Sequence, residues 1–127
     1  MQMVQKNALN SNSDSNHEQL WDMNRVTDCC KLLSRDAYNK IAIDFFEKNN
    51  RIDILIEAIN SEQMPIIIKE CHSLKGASAM IGLIAFNDII DTIEKSFMKQ
   101  IPLEKTEIIR TLNDLLREAK NQFLKIT

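Results

Sequence analysis

The sequence predicts an all-α fold, an antiparallel up-down-up-down four-helix bundle with an additional N-terminal helix. Three observations carry that expectation. Apolar residues recur at three- and four-residue steps along most of the chain. Its 127 residues include only two Gly and two Pro, too few for the tight turns of an all-β protein. The polar breaks between periodic stretches are short, and short links between amphipathic helices make antiparallel neighbours. With 44% hydrophobic and 27% charged residues, the composition suits a single helical domain with its own core, expected over 18–127.

The elements follow in order. Residues 1–17 begin MQMVQKNALNSNSDSN, rich in Asn, Ser and Gln, and read as a flexible tail with His17 in solvent at its edge. From about Glu18 a helical period places Met23, Val26, Cys30 and Leu33 on one face, with Trp21 as its anchor to the bundle. A second helix is expected over 36–60, with Ile41, Phe45, Ile52, Leu55 and Ile59 on its stripe. The polar KNNR segment at 48–51 interrupts it weakly, as a kink would.

Pro65 suits the first turn of a third helix, where its missing N–H costs nothing, and Ser61 is a candidate cap nearby. That helix should run to about Ile81 and stop at Gly82, a residue suited to the left-handed position past a helix end. A fourth helix is expected from about Phe86 to Lys99, with Phe86, Ile90, Ile93 and Phe97 on one face. Pro102 separates it from a fifth, in which Ile108, Leu112, Leu115, Ala119 and Phe123 repeat on schedule. The alternating charges in 104–125 describe a solvated face.

Composition also excludes functions. Two glycines cannot build a Gly-rich phosphate loop, so nucleotide binding by that route is ruled against. The net charge is −2 with both signs interspersed, and no basic stripe points to nucleic acid or to a membrane surface. The longest apolar runs, such as Met64–Ile68, fall far short of the roughly 20 residues of a membrane span. Three cysteines in no disulfide or zinc spacing fit a reducing compartment, so a cytoplasmic location is expected; the chain is expected to be a monomer. Cys29 and Cys30 are adjacent, and neighbouring helical side chains diverge by about 100°. A site combining them with Cys71, His72 and His17 is therefore not expected. Small buried apolar residues are the better reading of these cysteines, and the six methionines are scattered.

The stretch KECHSLKGASAMIG, residues 69–82, stands apart. It holds the one histidine outside the tail and both glycines of the chain. Laid out at about 100° per residue, Ile67, Leu74, Ser78 and Ile81 share the inward side. His72 falls nearly opposite, with Ile68, Lys75, Gly76 and Ala79 around it. A glycine inside a helix costs roughly 1 kcal/mol relative to alanine, and no cap explains Gly76. Missing bulk beside an exposed imidazole, with one cation at hand, suits covalent phosphorylation of the ring. A close helix–helix contact is the competing account of Gly76, and pattern alone leaves the two open.

The segment HSLKGASAMIG resembles the signature of histidine-containing phosphotransfer (HPt) domains. That signature has a His, an apolar residue two later, then Lys-Gly, small residues and a closing Gly, here His72, Leu74, Lys75, Gly76, Ala77, Ser78 and Gly82. The likeness extends over about residues 36–125. It includes Phe45 and Phe46 upstream and Ile93-Glu94 where the family often has Leu-Glu; Cys71 replaces a frequent Ala. The resemblance implies that His72 is the phosphorylated residue, that Lys75 supports the phosphoryl group, and that Gly76 leaves room for a partner. It implies that Glu94 orients the imidazole. The implied partner is the receiver domain of a hybrid sensor histidine kinase or a response regulator, in a phosphorelay between receiver aspartates. No cofactor is expected on this chain; Mg²⁺ is expected on the receiver. Ile68, Lys69, Ser73, Ala79 and Met98 are expected to border the docking contact.

Two other readings share the bundle. One is a non-catalytic module that binds receivers without transfer, which the presence of His72, Lys75 and Gly76 argues against. The other is the substrate domain of a chemotaxis-type kinase, which more often has a second Gly where Ala77 stands. Met1 and the polar tail favour a free-standing protein over the C-terminal piece of a hybrid kinase.

Overall fold

Asp22 opens the first helix by accepting hydrogen bonds on Oδ1 from the backbone N–H groups of Asn24 (3.1 Å) and Arg25 (3.2 Å). In the computed structural model residues 20–48 and 50–126 are described, so the expected tail, His17 and Glu18 lie outside the described residues. Among them the regular elements are six α-helices: α1 (Met23–Leu33), α2 (Arg35–Glu47), α3 (Arg51–Ser61), α4 (Met64–Ile81), α5 (Ile84–Met98) and α6 (Lys105–Ile126). The all-α expectation holds, with one correction. The stretch 36–60 is two helices, α2 and α3, not one.

The break falls at the polar KNNR segment, whose asparagines are poor helix formers. Both pieces still run antiparallel to α4. Tyr38 of α2 meets the end of α4 at Ile81, and Arg51 of α3 meets its middle at Glu70. Helices α3, α4, α5 and α6 pack in sequence, and α6 returns to α3 to close the bundle. Leu55 and Ile59 of α3, Ile67, Cys71 and Leu74 of α4, Phe86, Ile90 and Ile93 of α5 and Leu112 of α6 fill its core. Each large aliphatic side chain buried there contributes about 1.5–3 kcal/mol.

The N-terminal elements close one end. Trp21 is buried, stacks on Phe123 at 6.1 Å and meets Phe46 edge-on, while Phe45 meets Phe86 at 5.8 Å. Within α1, Val26 and Cys29 are buried, whereas Met23 is 49% and Leu33 40% exposed. The expected Met23–Val26–Cys30–Leu33 stripe is thus corrected, because only the middle of α1 packs, against α2 and the end of α4.

Three helices end alike. Beyond α4, Gly82 takes φ 86°, its N–H bonds Ala79 O and the Leu83 N–H bonds Ser78 O. Glu62 after α3 (φ 54°) and Gln100 after α5 (φ 58°) adopt the same left-handed turn without glycine's freedom. The expected Ser61 cap on α4 is not formed. Its hydroxyl donates to Glu57 instead, and Gln63 occupies the cap without a side-chain bond.

At Gly82 a Cβ would lie 3.1 Å from the backbone oxygen of Asp22. Gly82→Ala should therefore destabilise by about 1–2 kcal/mol, and Gln100→Gly should stabilise by about 0.5–1 kcal/mol. Urea midpoints of the two variants against the native chain check both signs.

Candidate functional site

The site is built on α4, whose two sides differ sharply. Its inward side buries Ile67, Leu74, Ser78 and Ile81, as their spacing predicts, and also Glu70 and Cys71. Glu70 is paired with Arg51 at 3.0 Å. Burial pushes the Cys71 thiol up to about 12, so this cysteine is a small core residue and not a nucleophile. Cys29 is buried too, with its thiol on Met80 O, while Cys30 is only half-buried.

On the outward side His72 is exposed, as are Lys69, Gly76 and Ala79, with Ile68, Ser73 and Lys75 half-buried between them. Among the described residues, a Cβ built on Gly76 would meet nothing within 4 Å. That decides between the two accounts of this glycine: no helix among the described residues presses on it, and the space they leave beside His72 is open. On α5, Met98 is 60% exposed. The antiparallel register that faces Ser78 with Asn87, and Lys75 with Asp91 and Glu94, puts Met98 level with Ile68.

Lys75 is not a loose cation. Its Nζ lies 2.6 Å from Glu94 Oε1 and 2.9 Å from Asp91 Oδ1. These bonds, Glu94's first, hold its ammonium above the ordinary lysine value, so it stays charged throughout the neutral range. Asp91 in turn reaches Lys95 Nζ with Oδ2 at 2.8 Å. Hydrogen bonds from Lys95 and then Lys75 keep the Asp91 carboxyl below the usual carboxylate range. Burial, with Asp91 nearby, raises its neighbour Asp88.

The backbone at Lys75 is fixed as well. Its carbonyl accepts from Asn87 Nδ2 at 2.8 Å and from Ser78 Oγ at 3.3 Å, and Asn87 Nδ2 also reaches Ser78 Oγ at 3.1 Å. A polar seam of Asn87, Asp91 and Glu94 thus ties α5 to the segment that carries His72.

This places each expected site residue. His72, Lys75 and Gly76 stand together on α4, one turn apart. Glu94 belongs to that seam, and its nearly buried carboxylate is paired with the Lys75 ammonium. Sequence reasoning missed Asn87, Asp91 and Lys95. The available signal was the spacing of Asn87, Asp91 and Glu94, which puts three polar groups on one margin of an otherwise apolar helix. Among the described residues, no three His, Cys, Asp or Glu side chains gather as a metal site would require.

The family model described as Hpt domain matches residues 45–122, a span that contains α3, α4 and α5 and most of α6. No curated protein and no solved structure matches the chain. Since the match takes in more than half of the sequence, together with the exposed His72 and its open flank, the chain belongs to the Hpt domain family, the phosphotransfer modules of two-component systems.

Proposed function

We propose that this chain is a phosphocarrier that relays a phosphoryl group between receiver-domain aspartates through phosphohistidine at position 72. The observation that carries the reading is the open space at Gly76 beside an exposed His72, within the matched segment. A helix gives up stability for such a glycine, and the return is clearance for a partner's phosphorylated carboxylate to reach the ring.

In the transfer, the lone pair of a neutral ring nitrogen attacks phosphorus in line with the aspartyl oxygen. The P–O bond to the receiver's carboxyl breaks, the P–N bond to His72 forms, and the aspartate leaves as carboxylate. The ring keeps its other N–H and becomes a phosphoimidazolium, which then equilibrates its proton with water. Charge balances at every stage, and the reverse sequence delivers the group to a second receiver. Such loose transition states need positioning and charge compensation more than proton transfer, which one fixed cation such as Lys75 can assist. The Mg²⁺ of the reaction is held by the receiver's carboxylates. In this reading the chain takes the group from its partner receiver and passes it to another.

Docking places the receiver on the outer face of α4, against Ile68, Lys69, Ser73 and Ala79 and, across the helix pair, Met98. Ile68 and Met98 supply the apolar part of that border, and truncating a well-placed apolar contact costs about 1 kcal/mol or more.

Two outcomes follow. Label from a phosphorylated receiver domain should pass to the native chain as an acid-labile, base-stable product and fail entirely with His72→Gln. Binding without any label transfer would favour a receiver-binding module instead. The Ile68→Ala, Met98→Ala double variant should weaken receiver binding by about tenfold in titration calorimetry. Unchanged affinity would move the docking surface elsewhere.

A further inference from the structure

The charge around Lys75 is already balanced before any phosphate arrives. Lys75 faces two carboxylates, Asp91 and Glu94, and among the described residues Lys95, on the far oxygen of Asp91, brings the group of four to neutrality. A phosphoryl group on His72 adds about −1.5 to −2 of charge one helical turn away. Lysine has a third N–H to offer, so donors are not what is scarce. Net positive charge is.

The two carboxylates are not equivalent. Glu94 has a side chain only 11% exposed, and Lys75 is its ion-pair partner. Releasing it would strand a charge out of water. Asp91 is 33% exposed and already holds Lys95 at 2.8 Å, four residues on along α5 in the favourable acid-before-base order. It can therefore give up Lys75 and remain paired.

We propose that Asp91 and Lys95 are positioning residues, a charge-balancing pair on α5 that sets how strongly Lys75 supports phosphohistidine at position 72. Asp91 draws Lys75 away from the phosphoryl group, and Lys95 offsets Asp91. This rests on the phosphocarrier reading, and it assigns to that site a control that the His-x-x-Lys-Gly motif does not contain. Bonds made and broken are those of the transfer itself; the pair changes only the position of its equilibrium.

The test is a double-mutant cycle read as the equilibrium ratio of phosphohistidine to phosphorylated receiver. The receiver domain is charged with acetyl phosphate and freed of excess donor. Asp91→Asn should raise the ratio and Lys95→Met lower it, each by roughly two- to fivefold, the range commanded by exposed ion pairs. In the Asp91→Asn background Lys95→Met should add little, Asp91→Glu should return the native ratio, and 1 M salt should shrink all shifts. A purely structural role moves thermal stability without producing opposite shifts of the ratio. No shift in either single variant, shifts of the same sign, or a full Lys95→Met effect without Asp91 overturns the proposal. If the native chain forms no phosphohistidine, the phosphocarrier reading falls and this role falls with it.

Discussion

The link between Lys75 and the carboxylates of α5 fixes how α4 shows its outer face. Two ion pairs on Nζ, and the hydrogen bond from Asn87 Nδ2 to the carbonyl of the same residue, lock α5 to α4 within one turn of His72. Their energetic contribution is small, since partly exposed pairs are worth about 0–1 kcal/mol each. Stability comes from the apolar layers beneath, where Leu74, Ile90 and Ile93 are fully buried. What the seam supplies is position. It sets the register of the helix pair, and so the level at which α5 side chains border the histidine.

The N-terminal elements solve a different problem, the orphan carbonyls at the end of α4. Ala79 O accepts from Arg25 Nε at 3.3 Å, Met80 O from the Cys29 thiol at 3.0 Å, Ile81 O from the Tyr38 hydroxyl at 2.6 Å and Gly82 O from the Asp22 N–H at 2.7 Å. Every carbonyl from 79 to 82 is therefore met by α1, α2 or the segment that leads into them. The extra helix is thus a lid on the end of α4 as well as added core.

How far the sequence could be read follows from which facts are local. The outward direction of His72 depends only on the pitch of one helix and on Leu74 and Ile81 opposite, so it was legible. The left-handed stop at Gly82 and the place of Pro65 were legible for the same reason. Glu62 and Gln100 were not, because a left-handed Glu or Gln has no compositional mark. The stripe chosen for α1 failed because its ends pack against little, which depends on where α4 stops. The partners of Lys75 were hidden because they depend on the register between two helices. Asp91 and Lys95 look like ordinary solvated charges until α5 is laid beside α4.

The proposed transfer depends on the open space beside His72, and Gly76 tests that directly. With nothing among the described residues within 4 Å of a built Cβ, Gly76→Ala should stabilise the fold by about 0.5–1 kcal/mol, and Gly76→Leu should fold at least as well as the native chain. The decisive measurement is the initial rate of label transfer from a phosphorylated receiver domain to Gly76→Leu, beside its urea midpoint. The expected result is a stable protein whose transfer falls by about tenfold or more, since misplacing reacting groups by an ångström is that costly. A Gly76→Leu protein that is stable and transfers at the native rate would contradict it.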